Sequence, residues 1–187
     1  MKVTILSEVA HILKLQNRFF LKPLSSVDFK KKGLLINFVC TGNICRSPYA
    51  EYKFKSLLDI HGIKNIKIIS TGTNTSNGHK ADKHAISAAE RMNLNISGHQ
   101  STKIDLEKIK ASDLLVIMGT NNYFHIIEIC PEAASKCIYL GALMLEESSE
   151  INIIDPYGRD DTIFNYSFQS IDYCLNKLVN NYIINGK

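Results

Sequence analysis

The chain has 187 residues, of which 45% are hydrophobic and 21% charged, and its formal net charge at pH 7 is +4. This length and composition are typical of one globular domain with a sizeable core. The mild charge, without a dense block of Lys and Arg, argues against a nucleic-acid-binding surface, and no apolar run is long enough to insert into a membrane.

Residues 1–32 precede the regular pattern of the rest of the chain. Their apolar positions have helical spacing, which predicts an N-terminal extension that is partly helical (Ile5, Val9, Ile12, Leu13 and Leu15). Such a helix either packs on the domain or docks a partner. Glu8, His11 and Lys14 interrupt the pattern that a signal peptide needs, so we expect a cytoplasmic location. The five cysteines should then be mostly thiols.

The remainder, residues 33–187, is predicted to be one domain in which strands and helices alternate. Short apolar runs predict strands at 34–39, 66–70, 113–118 and 137–140. Helical spacing predicts helices at 48–61, 81–93 and 162–183, the first with Ser47 as its N-cap and Pro48 at its first position. Such alternation indicates an α/β fold with a parallel sheet that helices cover on both faces.

The stretch VCTGNICRSPYAE, residues 39–51, joins the first predicted strand to the first predicted helix. A cysteine and an arginine six positions apart are weak evidence alone, but α/β folds bind ligands at this edge of the sheet. Gly42 and Asn43 tolerate a positive φ, which lets successive backbone N–H groups point into one concavity. The helix start adds its own free N–H groups. The stretch therefore predicts an anion cradle with Cys40 at its base and Arg46 at its rim.

This cradle suits phosphoryl transfer to a cysteine. The N–H groups and the guanidinium would stabilise a Cys40 thiolate, which is a strong nucleophile. The same groups would then bind the oxygens of a phosphoryl group, two of them by the planar fork of Arg46. Ser47 could donate its hydroxyl proton to the thiolate, and Asn43 could brace the loop.

The cysteine pair could also form a zinc site or a disulfide. A zinc site on Cys40 and Cys45 would need two further ligands and would place Arg46 beside the metal, so we expect no metal. A structural disulfide is disfavoured in the cytosol, whereas a reversible one is plausible because Cys45 is well spaced to resolve an oxidised Cys40.

A later segment, Asp155-Pro156-Tyr157, offers an acid for the leaving group. Pro156 stiffens the loop, Asp155 could protonate a phenolate, and Tyr157 could stack on an aryl group. Asp160 and Asp161 compete as carboxylates, but acidic residues are common at a helix start for electrostatic reasons alone. The histidines His79, His84 and His99 show no motif-like spacing, and no role is assigned to them.

With these motifs the chain resembles the low-molecular-weight protein tyrosine phosphatases over about residues 33–183. The resemblance implies a three-layer α/β fold, with a four-stranded parallel sheet flanked by helices on both faces. It places the nucleophile on Cys40, the phosphate-binding arginine on Arg46 and the general acid on Asp155, and it requires no cofactor. The remaining implied binding residues are those of the loop and pocket wall: Thr41, Gly42, Asn43, Ile44, Cys45, Ser47 and Tyr157.

The likeness is greatest to bacterial members that act with tyrosine autokinases of exopolysaccharide export. It implies phosphotyrosine proteins as partners, a tyrosine autokinase among them. In part of the family a cysteine that matches Cys45 protects the nucleophile as a disulfide. Two departures concern the site: Met118-Gly119 stands where the family has Met before a carboxylate, and the loop 74–77 is polar where many relatives have an apolar residue.

Two rival functions remain at this point. A thiol-linked arsenate reductase shares the fold and needs two further redox cysteines, for which Cys130 and Cys137 are the candidates. In those reductases, however, the first of the pair directly follows strand three. A non-catalytic phosphotyrosine-binding module would keep Arg46 but could dispense with Cys40 or Asp155. The sequence leaves open the physiological substrate, the oligomeric state, the role of residues 1–32 and oxidation of Cys40 and Cys45.

Overall fold

A computed structural model describes residues 20–144 and 150–186. The apolar positions 5–15 of the N-terminal extension lie outside the described residues. The strands are β1 Leu34–Cys40, β2 Ile66–Gly72, β3 Leu114–Ile117 and β4 Cys137–Tyr139. The α-helices are α1 Arg46–Ile60, α2 Lys83–Arg91, α3 Leu106–Ala111, α4 Thr120–Ile129 and α5 Asp161–Leu178. Among the described residues, none of the helices has the length and apolar character needed to cross a membrane.

The four strands form one parallel sheet in the order β2-β1-β3-β4, which confirms the predicted fold class. Since β1 lies in the interior of this sheet, its carboxyl end opens onto an edge formed by neighbouring strands. Cys40 is the last residue of β1 and pairs with Gly72, the last residue of β2. The predicted cradle therefore lies where parallel sheets of this type bind ligands.

Alternate residues of the strands enter two separate cores, as the pleat of a strand requires. Ile36, Phe38 and Val116 pack into the core on the side of α1, α2 and α5. Val39 and Ile117 pack into the smaller core on the side of α3 and α4. Helices thus cover both faces of the sheet.

A buried tyrosine joins α1, which begins at the cradle, to the long C-terminal helix. The Tyr49 ring stacks on Phe168 with 3.9 Å between ring centroids, and its hydroxyl donates to the Asp172 carboxylate at 2.8 Å. Burial, and next the charge of Asp172, raises the pKa of Tyr49 well above its ordinary value. The hydroxyl therefore keeps its proton and remains a donor, which fixes α1 against α5.

The structure corrects several predicted details. Ser47 is not an N-cap, because α1 begins at Arg46 and the Ser47 hydroxyl contacts the Cys40 sulfur at 3.0 Å instead of a backbone N–H group. The helices α3 and α4 are not among the predicted helices. The last helix keeps α-helical geometry only to Leu178 and continues as a π-helical turn over Val179–Ile184.

The segment 20–32 packs onto the domain. It contains a short 3₁₀ helix, Lys22–Ser26, in which Leu24 is only 2% exposed and belongs to the main core. The Phe20 ring meets the Tyr139 ring of β4 edge-on at 5.2 Å. Lys31 forms an ion pair with Asp113 at 2.5 Å. These contacts place residues 20–32 of the predicted extension in the folded unit.

We predict that Leu24→Ala lowers the free energy of unfolding by about 2 to 5 kcal/mol, because it leaves a cavity in the main core. Urea denaturation would measure the change. The matched control is Ile60→Ala, since Ile60 is 73% exposed at the end of α1 and should change stability by about 0.5 kcal/mol or less. Equal effects of the two substitutions would show that residues 20–32 do not pack on the domain in solution.

Candidate active site

The loop between β1 and α1 turns tightly at Asn43, whose φ is +52°. Asparagine adopts this left-handed conformation more readily than most residues. Gly72 is required beside the loop, because a Cβ atom there would lie 2.8 Å from the Thr41 carbonyl oxygen and 2.9 Å from the Asn43 Cβ. The loop and the end of β2 thus approach each other closely, and backbone bonds from Thr73 to Cys40 and from Asn74 to Thr41 join them at 3.0 and 2.9 Å.

The Cys40 sulfur receives hydrogen bonds from this loop. The Asn43 backbone N–H donates to Sγ at 3.2 Å, and the Ser47 hydroxyl lies 3.0 Å from Sγ. The Asn43 amide donates to the Ser47 oxygen at 2.8 Å, so the Ser47 hydroxyl proton can be donated to a thiolate or to the Thr71 carbonyl, which is farther away at 3.4 Å. The predicted roles of Asn43 and Ser47 are compatible with this geometry.

The Asn43 side chain bonds to three separate segments. Its amide nitrogen also donates to the Ser70 hydroxyl at 2.9 Å, and its oxygen accepts from the Thr102 backbone N–H at 2.7 Å. Ser70 in turn donates to the Glu51 carboxylate of α1 at 2.6 Å. The chain Glu51–Ser70–Asn43–Ser47 thus connects a partly buried carboxylate to the hydroxyl beside the Cys40 sulfur.

His99, to which no role was assigned from the sequence, lies directly behind this loop. It is buried, and its Nε2 atom is 2.8 Å from the Asn43 carbonyl oxygen. A carbonyl can only accept, so Nε2 bears a proton and donates it. Burial lowers the pKa of His99 below its ordinary value of 6.5, which favours the neutral ring at neutral pH. His99 therefore holds the backbone of Asn43, the loop residue with the positive φ.

Arg46 is buried at the rim of the cradle, where it is only 6% exposed. Its Nη1 donates to the Ile153 carbonyl at 3.0 Å, and its Nη2 forms a short ion pair with the Asp155 carboxylate. Its Nε is buried without a hydrogen-bond partner among the described residues. A buried guanidinium with an unused donor is the kind of group that binds an anion.

Cys40, Arg46 and Asp155 line one open cleft with a volume of about 860 Å³. Ile44 and the exposed Tyr157 also line this cleft, as do residues 74–76 of the polar loop. The side chains that the sequence indicated are therefore brought together from the β1–α1 loop and from the segment before α5. The Asp155 carboxylate accepts the Tyr157 backbone N–H at 3.2 Å, which orients the two residues.

The second cysteine of the loop has a different environment. Cys45 is buried, and burial, followed by the charge of Asp82, raises the pKa of its thiol well above the ordinary value. Cys45 therefore stays protonated at neutral pH and is a poor nucleophile. All five cysteines of the chain are free thiols in this structure.

The cysteines that the reductase alternative needs are far from Cys40. Cys137 pairs with Leu115, which is the neighbour of Asn37, so it lies about 10 Å along the strands and about 10 Å across them from Cys40. Cys130 follows the end of α4, about 15 Å from the start of that helix. Disulfide exchange requires much closer sulfurs. Burial also raises the pKa of Cys137 to about 12.

A family model described as low molecular weight phosphotyrosine protein phosphatase matches residues 35–184. The chain belongs to this family. A low molecular weight protein-tyrosine-phosphatase of Acinetobacter johnsonii is 34% identical, over 77% of this chain and 93% of that protein. A protein-arginine-phosphatase of Bacillus subtilis is 29% identical, over 76% and 93% respectively. The structure of the tyrosine phosphatase Wzb from Escherichia coli K30 with sulphate superimposes with a TM-score of 0.68 at 33% identity, over 76% of this chain and 94% of that one.

One difference between this phosphatase and the family pattern has a structural explanation. Gly119, which stands where the resemblance implies a carboxylate residue, precedes α4, and the first N–H group of that helix, from Thr120, donates to the Asn152 side chain at 2.9 Å. A Cβ atom on Gly119 would lie 3.1 Å from the same Asn152 oxygen. Asn152 thus occupies the space and accepts the hydrogen bond. In residues 20–144 and 150–186, no group of three or more His, Cys, Asp or Glu side chains is placed to bind a metal.

We predict that His99 makes this phosphatase less stable in mild acid. The folded pKa of His99 is lowered, so below about pH 6.5 the unfolded chain binds more protons than the folded chain. The free energy of unfolding is therefore highest at pH values above 6.5, and it decreases as the pH falls toward the pKa of His99 in the folded protein. His99→Gln, which can still donate to Asn43, should lose less free energy of unfolding than the wild type between about pH 7.5 and 5.5 in urea denaturation. Equal losses in the two proteins would contradict the prediction.

Proposed function

We propose that this phosphatase hydrolyses phosphotyrosine in proteins through a phosphocysteine intermediate. The observation that carries the proposal is the geometry of one cleft. The Cys40 sulfur there accepts an N–H bond from Asn43 and contacts the Ser47 hydroxyl, and Arg46, with its unused Nε donor, lines the same cleft. Asp155 faces the same cleft.

In the first step the Cys40 thiolate attacks phosphorus, and an S–P bond forms as the bond from phosphorus to the tyrosine oxygen breaks. The N–H groups of residues 41–46 and the Arg46 guanidinium neutralise the oxygens that gather charge. Asp155 gives its proton to the departing phenolate. In the second step Asp155 takes a proton from water, whose oxygen bonds to phosphorus as the S–P bond breaks, and phosphate leaves. The Ser47 hydroxyl stabilises the thiolate that is regenerated.

Arg46 links substrate binding to the position of the general acid. Its Nη2 is occupied by Asp155, whereas Nε has no partner among the described residues. A phosphate that binds Nε and Nη2 side by side would replace the carboxylate as the counter-charge of the buried guanidinium. Asp155 would then be released from the ion pair, take up a proton from solvent and face the leaving group, to which it gives that proton. The ion pair thus compensates the charge of Arg46 until a substrate does so.

The walls of the cleft favour an aryl phosphate. Ile44 presents an apolar side chain, and Tyr157 an exposed ring on which a phenyl group can stack. Because a protein-arginine-phosphatase is among the relatives, family membership alone does not separate a phosphorus–oxygen from a phosphorus–nitrogen substrate. The ratio of kcat/KM for phosphotyrosine and phosphoarginine peptides would decide, and we expect it to favour phosphotyrosine.

The proposal also covers the substrates of the enzyme in the cell. The similarity to bacterial enzymes of this family, Wzb of Escherichia coli among them, supports a cytoplasmic enzyme whose substrates include a tyrosine autokinase of exopolysaccharide export. A peroxide would oxidise the Cys40 thiolate to a sulfenic acid with release of hydroxide, and the Cys45 thiol would then form a disulfide with it as water leaves. This disulfide would switch the enzyme off reversibly, because it blocks the nucleophile.

We predict that Cys40→Ser lowers the rate of para-nitrophenyl phosphate hydrolysis in EDTA by at least about a thousandfold, because the nucleophile is lost. The control Cys130→Ala should keep the wild-type rate, since Cys130 is buried in the second core. A wild type that is inactive under reducing conditions would refute the phosphatase chemistry. Thiol-dependent reduction of arsenate by the wild type that is lost in Cys130→Ala would favour the reductase instead.

We predict that Asp155→Asn lowers kcat/KM by about 10² to 10⁴ for phenyl phosphate, because kcat/KM reports the first step, in which this leaving group needs a proton. The loss should be much smaller for para-nitrophenyl phosphate, because nitrophenolate leaves without protonation. Steady-state kinetics of both substrates would measure the difference, with Asp161→Asn at the start of α5 as the control that changes neither. Equal losses for the two substrates would mean that Asp155 is not the general acid.

A further inference from the structure

One wall of the catalytic cleft is a small backbone ladder between residues 76–80 and 100–103. Lys80 and Gln100 form an antiparallel bridge. Within it, the Gly78 N–H donates to the Ser101 carbonyl at 2.8 Å, and the Ser101 N–H donates to the His79 carbonyl at 2.7 Å. The Lys103 N–H donates to the Asn77 side chain at 2.7 Å. The backbone of this wall is therefore fixed relative to the cradle.

The ladder presents two lysines, Lys80 and Lys103, to the cleft that contains Cys40. Neither lysine forms an ion pair with a carboxylate of residues 20–144 or 150–186. Two carboxylates also line the cleft, and each has partners other than these lysines. Asp155 pairs with Arg46, and Asp82 accepts the backbone N–H groups of His84 and Ala85 at 2.9 and 3.2 Å as the N-cap of α2.

The cleft also has room beyond the phosphorylated side chain. Its volume of about 860 Å³ lies near the upper end of the range for ligand pockets. The cradle lies at the carboxyl end of β1, whereas the ladder follows β2. Residues next to a phosphotyrosine would therefore lie over the ladder while the phosphate lies on Cys40.

We propose that Lys80 and Lys103 form an anion subsite, which selects substrates with a negatively charged residue beside the phosphotyrosine. The inference rests on the proposed phosphotyrosine phosphatase function and specifies its substrate class. The flanking charge is a carboxylate of Asp or Glu or the phosphate of a second phosphotyrosine, since both are anions that a lysine ammonium binds. Two cations on one wall also attract such peptides at a distance.

The test compares phosphotyrosine peptides that differ only in the flanking residues: Asp/Glu, Ala, Lys or a second phosphotyrosine. We expect the wild type to prefer Asp/Glu-flanked over Ala-flanked peptide by about three- to thirtyfold in kcat/KM, as two exposed charge pairs provide. The second phosphotyrosine arm shows whether a phosphate acts as well as a carboxylate. In the Lys80→Met/Lys103→Met variant the ratio should fall to about one. Because each value is a ratio within one protein, a general loss of activity cancels.

Two controls isolate the charge of this wall. Lys80→Arg/Lys103→Arg should keep the preference, and Lys64→Met/Lys67→Met, which removes the same charge near the start of β2, should keep it too. Salt supplies a measurement without mutation: in the wild type the preference should shrink between about 0.02 and 0.5 M NaCl. A wild type without preference, or a preference that survives Lys80→Met/Lys103→Met, overturns the subsite while phosphatase activity stands. A wild type that hydrolyses no phosphotyrosine peptide overturns both proposals.

Discussion

The site depends on the conformation of one asparagine. The loop after β1 must reverse within five residues, 41–45, so that its N–H groups face the Cys40 sulfur. Asn43 makes this possible because it accepts a positive φ and because its side chain and carbonyl each find partners. Those partners come from α1, β2 and the segment 99–102. The network therefore fixes the loop around the Cys40 sulfur through contacts between segments that are distant in the sequence.

The second constraint is the charge of a buried arginine. A guanidinium as buried as that of Arg46 needs a counter-charge, and leaving it unpaired would be strongly destabilising. Asp155 supplies this charge from a segment more than a hundred residues later. The protein thus keeps Arg46 in place in the absence of substrate, and it does so with the same carboxylate that the proposed mechanism uses as its acid.

Much of this architecture could be predicted from local patterns, and the exceptions share a cause. The strands and the cradle follow from apolar runs and from the residues 40–47, which are contiguous. Local rules predict Ser47 as a helix cap, and this prediction is wrong because its hydroxyl bonds within the site, beside the Cys40 sulfur to which the sequence also predicts that it donates. Ser70 and His99 bear no local signal at all, since their roles arise only when β2 and the loop 95–103 fold against Asn43. The segment Asp155-Pro156-Tyr157 offers a candidate acid from its residues alone, and the family resemblance selects Asp155.

The packing of residues 20–32 also bears on how the sheet avoids pairing with other molecules. An edge strand exposes unpaired N–H and C=O groups on which another chain can add. At one edge β2 exposes the charged Lys67 and is joined to Lys103 at its end. At the other edge β4 has three residues, and the 3₁₀ helix Lys22–Ser26 packs against it. A shortened chain that begins at the first strand would lose the segment that covers the β4 edge, and with it the core residue Leu24. We therefore expect it to aggregate more readily than a chain that retains residues 20–32.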